Sequence, residues 1–173
     1  MRNYKAYSLI IFISLFWVLP SYAQSAAITN GLTWLSGNQN SNGSWGTKTE
    51  LILIDTTEAI NAFKYVNNTG TDYTEGMNWL SLQNTISTDE LSRKIISLAN
   101  AGVDTSALIN ILIGYRNADG GWGFYPSAGS GQASGDDSNV YMTAMVLNTL
   151  LQYKNSYNLQ ASINNAISYL LSK

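Results

Sequence analysis

The chain repeats itself, and a repeat restricts the possible folds more than any single residue does. The segment Asn117-Ala118-Asp119-Gly120-Gly121-Trp122-Gly123 is flanked by two apolar runs, one ending near Tyr115 and one spanning Val140 to Tyr153. The same grammar stands earlier as GLTWLSGNQNSNGSWG, followed by LILIDTTEAINAFKYV. Placing Trp45 on Trp122 also matches Asn40 with Asn117, Gly43 with Gly120 and Gly46 with Gly123. Allowing ten extra residues in the second copy, Thr56, Asn61 and Phe63 then meet Thr143, Asn148 and Leu150. A further copy is partial: Gly31-Leu32-Thr33-Trp34-Leu35-Ser36 returns as Gly76-Met77-Asn78-Trp79-Leu80-Ser81, and Gln39-Asn40 as Gln83-Asn84. A fainter one is Ala166-Ile167-Ser168-Tyr169-Leu170. Beyond the first 23 residues every tryptophan occupies a repeat position.

Those first 23 residues read as a signal peptide. Arg2 and Lys5 form a positive n-region and Tyr7 to Leu19 an apolar h-region. Ser21-Tyr22-Ala23 supplies small residues for a peptidase, so cleavage is expected before Gln24, with a secreted or periplasmic destination. The alternative is an uncleaved anchor, but the apolar run is short of the roughly 20 residues that span a bilayer. Residues 24–173 amount to one domain and contain no second run long enough to span. Removing Arg2 and Lys5 from the nine basic residues leaves seven against eleven acidic ones, a net charge of −4. With no basic cluster, nucleic acid is not an expected partner. Cysteine and histidine are absent. That removes disulfides, a cysteine nucleophile, a thioester, a Ser-His-Asp triad and His/Cys zinc sites. No metal or cofactor is expected.

The apolar residues recur at helical spacing in seven segments. The first is about Ala26 to Ser36, the second Asp55 to Val66 and the third Asp72 to Leu82. The fourth opens on a capping-box signature, Ser87-Thr88-Asp89-Glu90, and stops at Gly102. Asp104 is expected to cap the fifth, which carries Leu108, Ile111, Leu112 and Tyr115 on one face. The sixth runs from about Ser138 to Tyr153 and the seventh from Leu159 to Ser172. Leu51 to Ile54 is a short apolar run that is compatible with extended chain. No segment alternates with period 2 over a useful length, so the chain is expected to be all-α and built of helical hairpins.

Gln39-Asn40-Ser41-Asn42-Gly43-Ser44-Trp45 has the form Gln, three residues, Gly, one residue, Trp. This is the QW motif, and residues 24–173 resemble the prenyltransferase/squalene-oxidase repeat proteins, which include the terpenoid cyclases. The second copy departs from the motif, with Arg116 where Gln is expected, but keeps Gly120 and Trp122. The resemblance implies an α/α toroid of helical hairpins, here a partial ring of about seven helices. It also implies a structural role for Gln39, Gly43, Trp45, Gly120 and Trp122, bracing neighbouring helix ends. Physical reasoning agrees, because Gly permits left-handed backbone at a turn and a flat indole two residues later can cover a helix end.

Chemistry in the resembled family points to few residues. The acid motif of the class II terpene cyclases is Asp-x-Asp-Asp followed by Thr-Ala, and its nearest match is Ser134-Gly135-Asp136-Asp137-Ser138-Asn139. Asp136, with Asp137 beside it, would stand where the proton donor does, although the first Asp is replaced by Ser134. The competing reading makes Asp137 or Ser138 the cap of the sixth helix. The zinc site of protein prenyltransferases and the thioester of complement-like proteins need residues that this chain lacks. Asn38 to Gly43 mimics the start of a calcium loop, but Thr49 stands at the twelfth position, and an Asn-rich turn is the better reading. A glycan-acting enzyme would need paired carboxylates, for which Asp136, Asp137, Asp55 and Glu58 are the candidates.

Two functions are therefore in play. One is an exported, non-catalytic module that binds a partner protein, a glycan or an apolar small molecule, with Trp34, Trp79 and Tyr125 as candidate contacts. The other is a terpene cyclase-like or polysaccharide-acting enzyme on the same toroid. A partial ring would leave flanks uncovered. The seventh helix presents Ile163, Ile167, Leu170 and Leu171, so pairing with a second copy or another chain is expected.

Overall fold

A computed structural model describes residues 25–126 and 135–173. The expected signal segment, residues 1–23, lies outside the described residues, as does Ser134. The all-α expectation holds. Seven helices occur among the described residues: α1 (Ala26–Gly37), α2 (Ile52–Tyr65), α3 (Thr71–Leu82), α4 (Thr88–Asn100), α5 (Ser106–Gly114), α6 (Val140–Gln152) and α7 (Gln160–Leu171). None of them is long and apolar enough to cross a membrane.

Local chemistry sets the ends of these helices. Ser87 and Glu90 close the expected capping box of α4 reciprocally, each satisfying a backbone amide that the helix leaves free. At its other end, Gly102 adopts φ 83° while Gly102 N donates to the Ala99 carbonyl and Val103 N to the Leu98 carbonyl. This Schellman closure favours glycine because a Cβ is unfavourable at that φ. Asn67, at φ 57°, ends α2 with the same pair of bonds.

Three boundaries differ from the sequence-based expectation. α2 begins at Ile52 and not Asp55, so Leu51 to Ile54 leads into helix instead of running extended. The Lys48 carbonyl accepts from both Leu51 N and Ile52 N, and burial of Leu53 holds the added turn against the core. The cap of α6 is neither Asp137 nor Ser138. It is Asn139, whose side chain accepts from Met142 N at 2.8 Å, while the Ser138 hydroxyl is engaged elsewhere. At α5, Thr105 occupies the cap position, and Asp104 acts from one residue earlier by accepting from Ser106 N at 2.9 Å.

α2, α4 and α6 pack in that order, with α4 against both of the others. α3 lies on α2 and α4, α5 on α4, α7 on α6, and α1 on α2. The core divides into two clusters, each containing one of the motif tryptophans. Trp45 belongs with Ile60, Phe63 and Leu80, and Trp122 with Leu112, Val146 and Leu150. α4 joins them, because Leu91 and Ile95 enter the second cluster and Leu98 the first. Lys94 of α4 is also buried. Its ammonium donates to the Ser81 and Gln83 carbonyls at the C-terminal end of α3, where the helix dipole favours a cation, and burial pushes its pKa down.

α7 is better covered than its sequence suggested. Ile163 is buried in the second cluster and Leu170 is half-buried, so only Ile167 and Leu171 remain on an open side. α1 is the opposite case: it buries no residue completely.

Candidate functional site

The two Gly-x-Trp turns are built alike. In the first, Gly43 N donates to the Asn40 carbonyl and Asn40 N to the Ser44 carbonyl, both at 2.8 Å. Gly43 has φ 91°, and a Cβ there would lie 2.5 Å from the Glu75 carbonyl oxygen of α3, so only glycine lets the turn rest on that helix. The side chains of Asn40 and Asn42 are spent within the turn, on Ser44 and Gly46, which accords with an Asn-rich turn. Trp45 is 3% exposed. Its indole N–H donates to the Leu35 carbonyl at the end of α1 at 2.8 Å, and its backbone N–H to the Thr56 hydroxyl of α2 at 2.9 Å. Gln39 spans from the turn to α3, donating to the carbonyls of Gly43 and Asp72.

The second turn repeats these bonds with different neighbours. The Trp122 indole donates to the Leu112 carbonyl of α5 at 2.8 Å, and Trp122 N to the Thr143 hydroxyl of α6 at 3.0 Å. Gly120, at φ 92°, backs onto the Asn165 carbonyl of α7. Arg116, in place of Gln, is exposed. The tie to the following helix is made instead by Tyr169, whose hydroxyl donates to the Ser138 carbonyl at 2.7 Å. Asp119 stands where the first copy has Asn42. Its carboxylate accepts from the Ser138 hydroxyl at 2.7 Å and from Gly121 N, and the Ser138 bond first of all holds its pKa below the ordinary carboxylate range.

The candidate catalytic pair lies beside this second turn. Asp136 N donates to the Tyr125 carbonyl, and the Asp136 carboxylate accepts from Tyr125 N at 3.2 Å. Its carbonyl accepts from Asn117 at 3.0 Å. Asp136 thus clasps the two ends of the long loop. Both it and Asp137 are exposed, lining a shallow depression with Asn117, Asp119 and Lys173.

The three candidate binding aromatics are not brought together. Tyr125 is half-buried and meets Phe124 edge-on at 4.8 Å. Trp79 is half-buried and packs on the first core cluster, as Leu32 and Leu35 do. Trp34 is 64% exposed. It forms one wall of a groove of about 710 Å³ between α1 and α2. Trp45 lies beneath, braced by Phe63 at 5.8 Å between ring centroids. The first turn contributes Gly46, Thr47 and Lys48. Asp55 and Glu58, a helical turn apart on α2, complete the polar side. Glu58 pairs with Arg93 of α4, which in turn grips Asp89 through Nε at 3.0 and 3.1 Å.

Of the four carboxylates that the sequence offers for a glycan-acting enzyme, Asp55 and Glu58 line this groove, whereas Asp136 and Asp137 lie apart from them beside the second turn. Sequence reasoning missed Lys48, Leu51 and Asn38 as groove residues. The one signal for them is positional: α1 and α2 form the first hairpin, with none before it among the described residues to cover its flank.

Comparison of the chain with known protein families, with curated proteins and with solved structures finds no match.

Proposed function

We propose that this chain is an exported, non-catalytic module of the prenyltransferase/squalene-oxidase-repeat type that binds its ligand in the groove between α1 and α2. Export would follow from the leader 1–23 with cleavage after Ala23. The repeat-type reading is supported by the matching hydrogen bonds of the two turns and by helices that pack in alternation along the chain, as an incomplete α/α toroid would. The observation that carries the binding reading is Trp34. A large indole stands 64% exposed over a groove floored by Trp45, which hydrogen bonds to Leu35 and Thr56 hold in place. Among the described residues nothing encloses Asp136 and Asp137, both exposed, as carbocation chemistry would need.

Thermal-shift screening of the purified protein against glycans, apolar small molecules and candidate partner proteins tests this. A ligand at 100 times its Kd stabilises the folded state by about 2.7 kcal/mol, a rise of about 2–4 °C in Tm per kcal/mol for a chain of this size. The rise should vanish in Trp34→Ala, which itself should melt near the wild type because the side chain is exposed. Shifts that persist unchanged in Trp34→Ala would place binding elsewhere and end the groove reading.

A further inference from the structure

The equivalence of the two turns allows the groove to be compared with its own counterpart. The bonds from Trp45 to Leu35 and Thr56 correspond to those from Trp122 to Leu112 and Thr143. They fix the register of both flanking helices. In that register Trp34, Asp55 and Glu58 answer to Ile111, Met142 and Met145. The second hairpin is covered by α4, which packs on both α5 and α6, and there Met142 is only 3% exposed. The internal hairpin thus buries Met142 and half-buries Met145, although Ile111, the counterpart of Trp34, stays 46% exposed; the first hairpin places polar Asp55 and Glu58 there and leaves more of the niche open.

A repeat with no neighbour on one flank among the described residues needs a polar outer face there to stay soluble. Asp55 and Glu58 meet that need, but Trp34 at 64% exposure and Leu51 at 40% work against it. Solubility does not account for them, and a ligand does. Its chemistry can be read from the charges. Glu58 shares Arg93 with Asp89, and the groove keeps one unpaired anion, Asp55, and one unpaired cation, Lys48. Among the described residues neither has an ion-pair partner, and the Asp55 carboxylate accepts no hydrogen bond. It lies against Gly46, where a Cβ would come within 2.2 Å of its oxygen. The one net negative charge disfavours an anionic ligand, and the Lys48 ammonium beside Asp55 disfavours a cationic one. The free carboxylate and ammonium would be left without partners under a wholly apolar ligand, at a desolvation cost; the Asn38 amide donates to the Trp34 carbonyl at 2.7 Å and keeps its oxygen for a ligand.

We propose that the groove takes a neutral saccharide, with the face of one pyranose ring stacked on Trp34 and its hydroxyls bonded to Asp55, Lys48 and Asn38. The C–H bonds on a pyranose face carry partial positive charge and meet the negative face of the indole. Each hydroxyl both donates and accepts, so it can serve the carboxylate and the ammonium alike. This inference rests on the groove being the binding site.

The test is a fluorescence and calorimetric titration of the purified protein with three probe classes. These are neutral hexasaccharides (β-1,4-glucose, α-1,4-glucose and β-1,4-N-acetylglucosamine), the neutral apolar fluorophore N-phenyl-1-naphthylamine, and tetramethylammonium. The expected result is saturable binding of at least one hexasaccharide. Affinity should fall tenfold or more in Trp34→Ala, less in Trp34→Phe, and severalfold in Asp55→Ala, with circular-dichroism melts showing all three variants folded. Trp34-dependent binding of the naphthylamine or the ammonium, with no hexasaccharide bound, would overturn the saccharide inference and leave the groove reading standing. Saccharide binding indifferent to Trp34→Ala, or no binding of any probe, would overturn both.

Discussion

Thr143→Val removes one oxygen from a site where the account assigns it a definite job. The Thr143 side chain is fully buried, and its hydroxyl accepts the backbone N–H of Trp122, also fully buried, at 3.0 Å. Valine has nearly the same shape, so the change leaves no cavity but strands that N–H away from water. A buried donor left unpaired costs about 1–3 kcal/mol. For comparison, truncating the whole Trp122 ring to Ala should cost about 3–5 kcal/mol. Thr149→Val, on the same helix and equally buried, is the internal control. Its hydroxyl donates to the Met145 carbonyl four residues back, and losing that bond leaves no amide stranded. Urea denaturation followed by circular dichroism should show a lower midpoint for Thr143→Val with an unchanged slope, and a midpoint near wild type for Thr149→Val. Because Trp45 N and Thr56 repeat the geometry at 2.9 Å, Thr56→Val should reproduce the loss. A Thr143→Val curve that overlays the wild type would refute the idea that threonine anchors these turns.

Gly76→Ala should destabilise by about 1–3 kcal/mol through overpacking, since a Cβ there would lie 2.7 Å from the Trp45 ring and 3.1 Å from Ile60; an unchanged melting temperature would show that α3 can move away. The second turn should be acid-labile and the first not. Asp119 has its folded pKa depressed, so its contribution to stability is complete above its ordinary value of 3.8 and is lost as pH falls through the folded value, whereas Asn42 does not titrate. Asp119→Asn should flatten the stability profile below pH 3.8, as read by denaturant titrations across that range. Ile167 and Leu171 of α7, 40% and 83% exposed, are the residues through which self-pairing would occur. Light scattering coupled to size exclusion should then show a dimer that Leu171→Glu dissociates, and a wild-type monomer at tens of micromolar would discard the pairing.

Much of this fold was legible in the chain because its signals are local. Helical periodicity, the Ser87–Glu90 capping box and the alignment of Trp45 with Trp122 each depend on residues close in sequence, and each reappears in the structure. The failures came where neighbours compete. A four-residue apolar run such as Leu51 to Ile54 has no readable period, and the burial of Leu53 decided it. Asp137, Ser138 and Asn139 are all competent caps. Asn139 takes the position because Asn117 and Asp119 claim Ser138 from the far side of the loop. Ile163 was expected on the open side of α7, but α6 covers it. The groove was the hardest feature to foresee, since Trp34 and Trp79 hold the same place in their repeats and differ only in what packs over them.

The central claim is that binding resides in the α1–α2 groove and not beside the second turn. Nitrogen-proton correlation spectra test it directly, because each indole reports its own surroundings. Trp45 and Trp122 have their indole N–H groups locked onto the Leu35 and Leu112 carbonyls, whereas no bond holds that of Trp34 among the described residues. Titrating a neutral hexasaccharide should move the Trp34 indole resonance and the amides of Thr47, Lys48 and Asp55, leaving the Trp122 indole still. Shifts confined to the amides of Asp119, Asp136, Asp137 and Ser138 would contradict the account and return the site to the acidic loop.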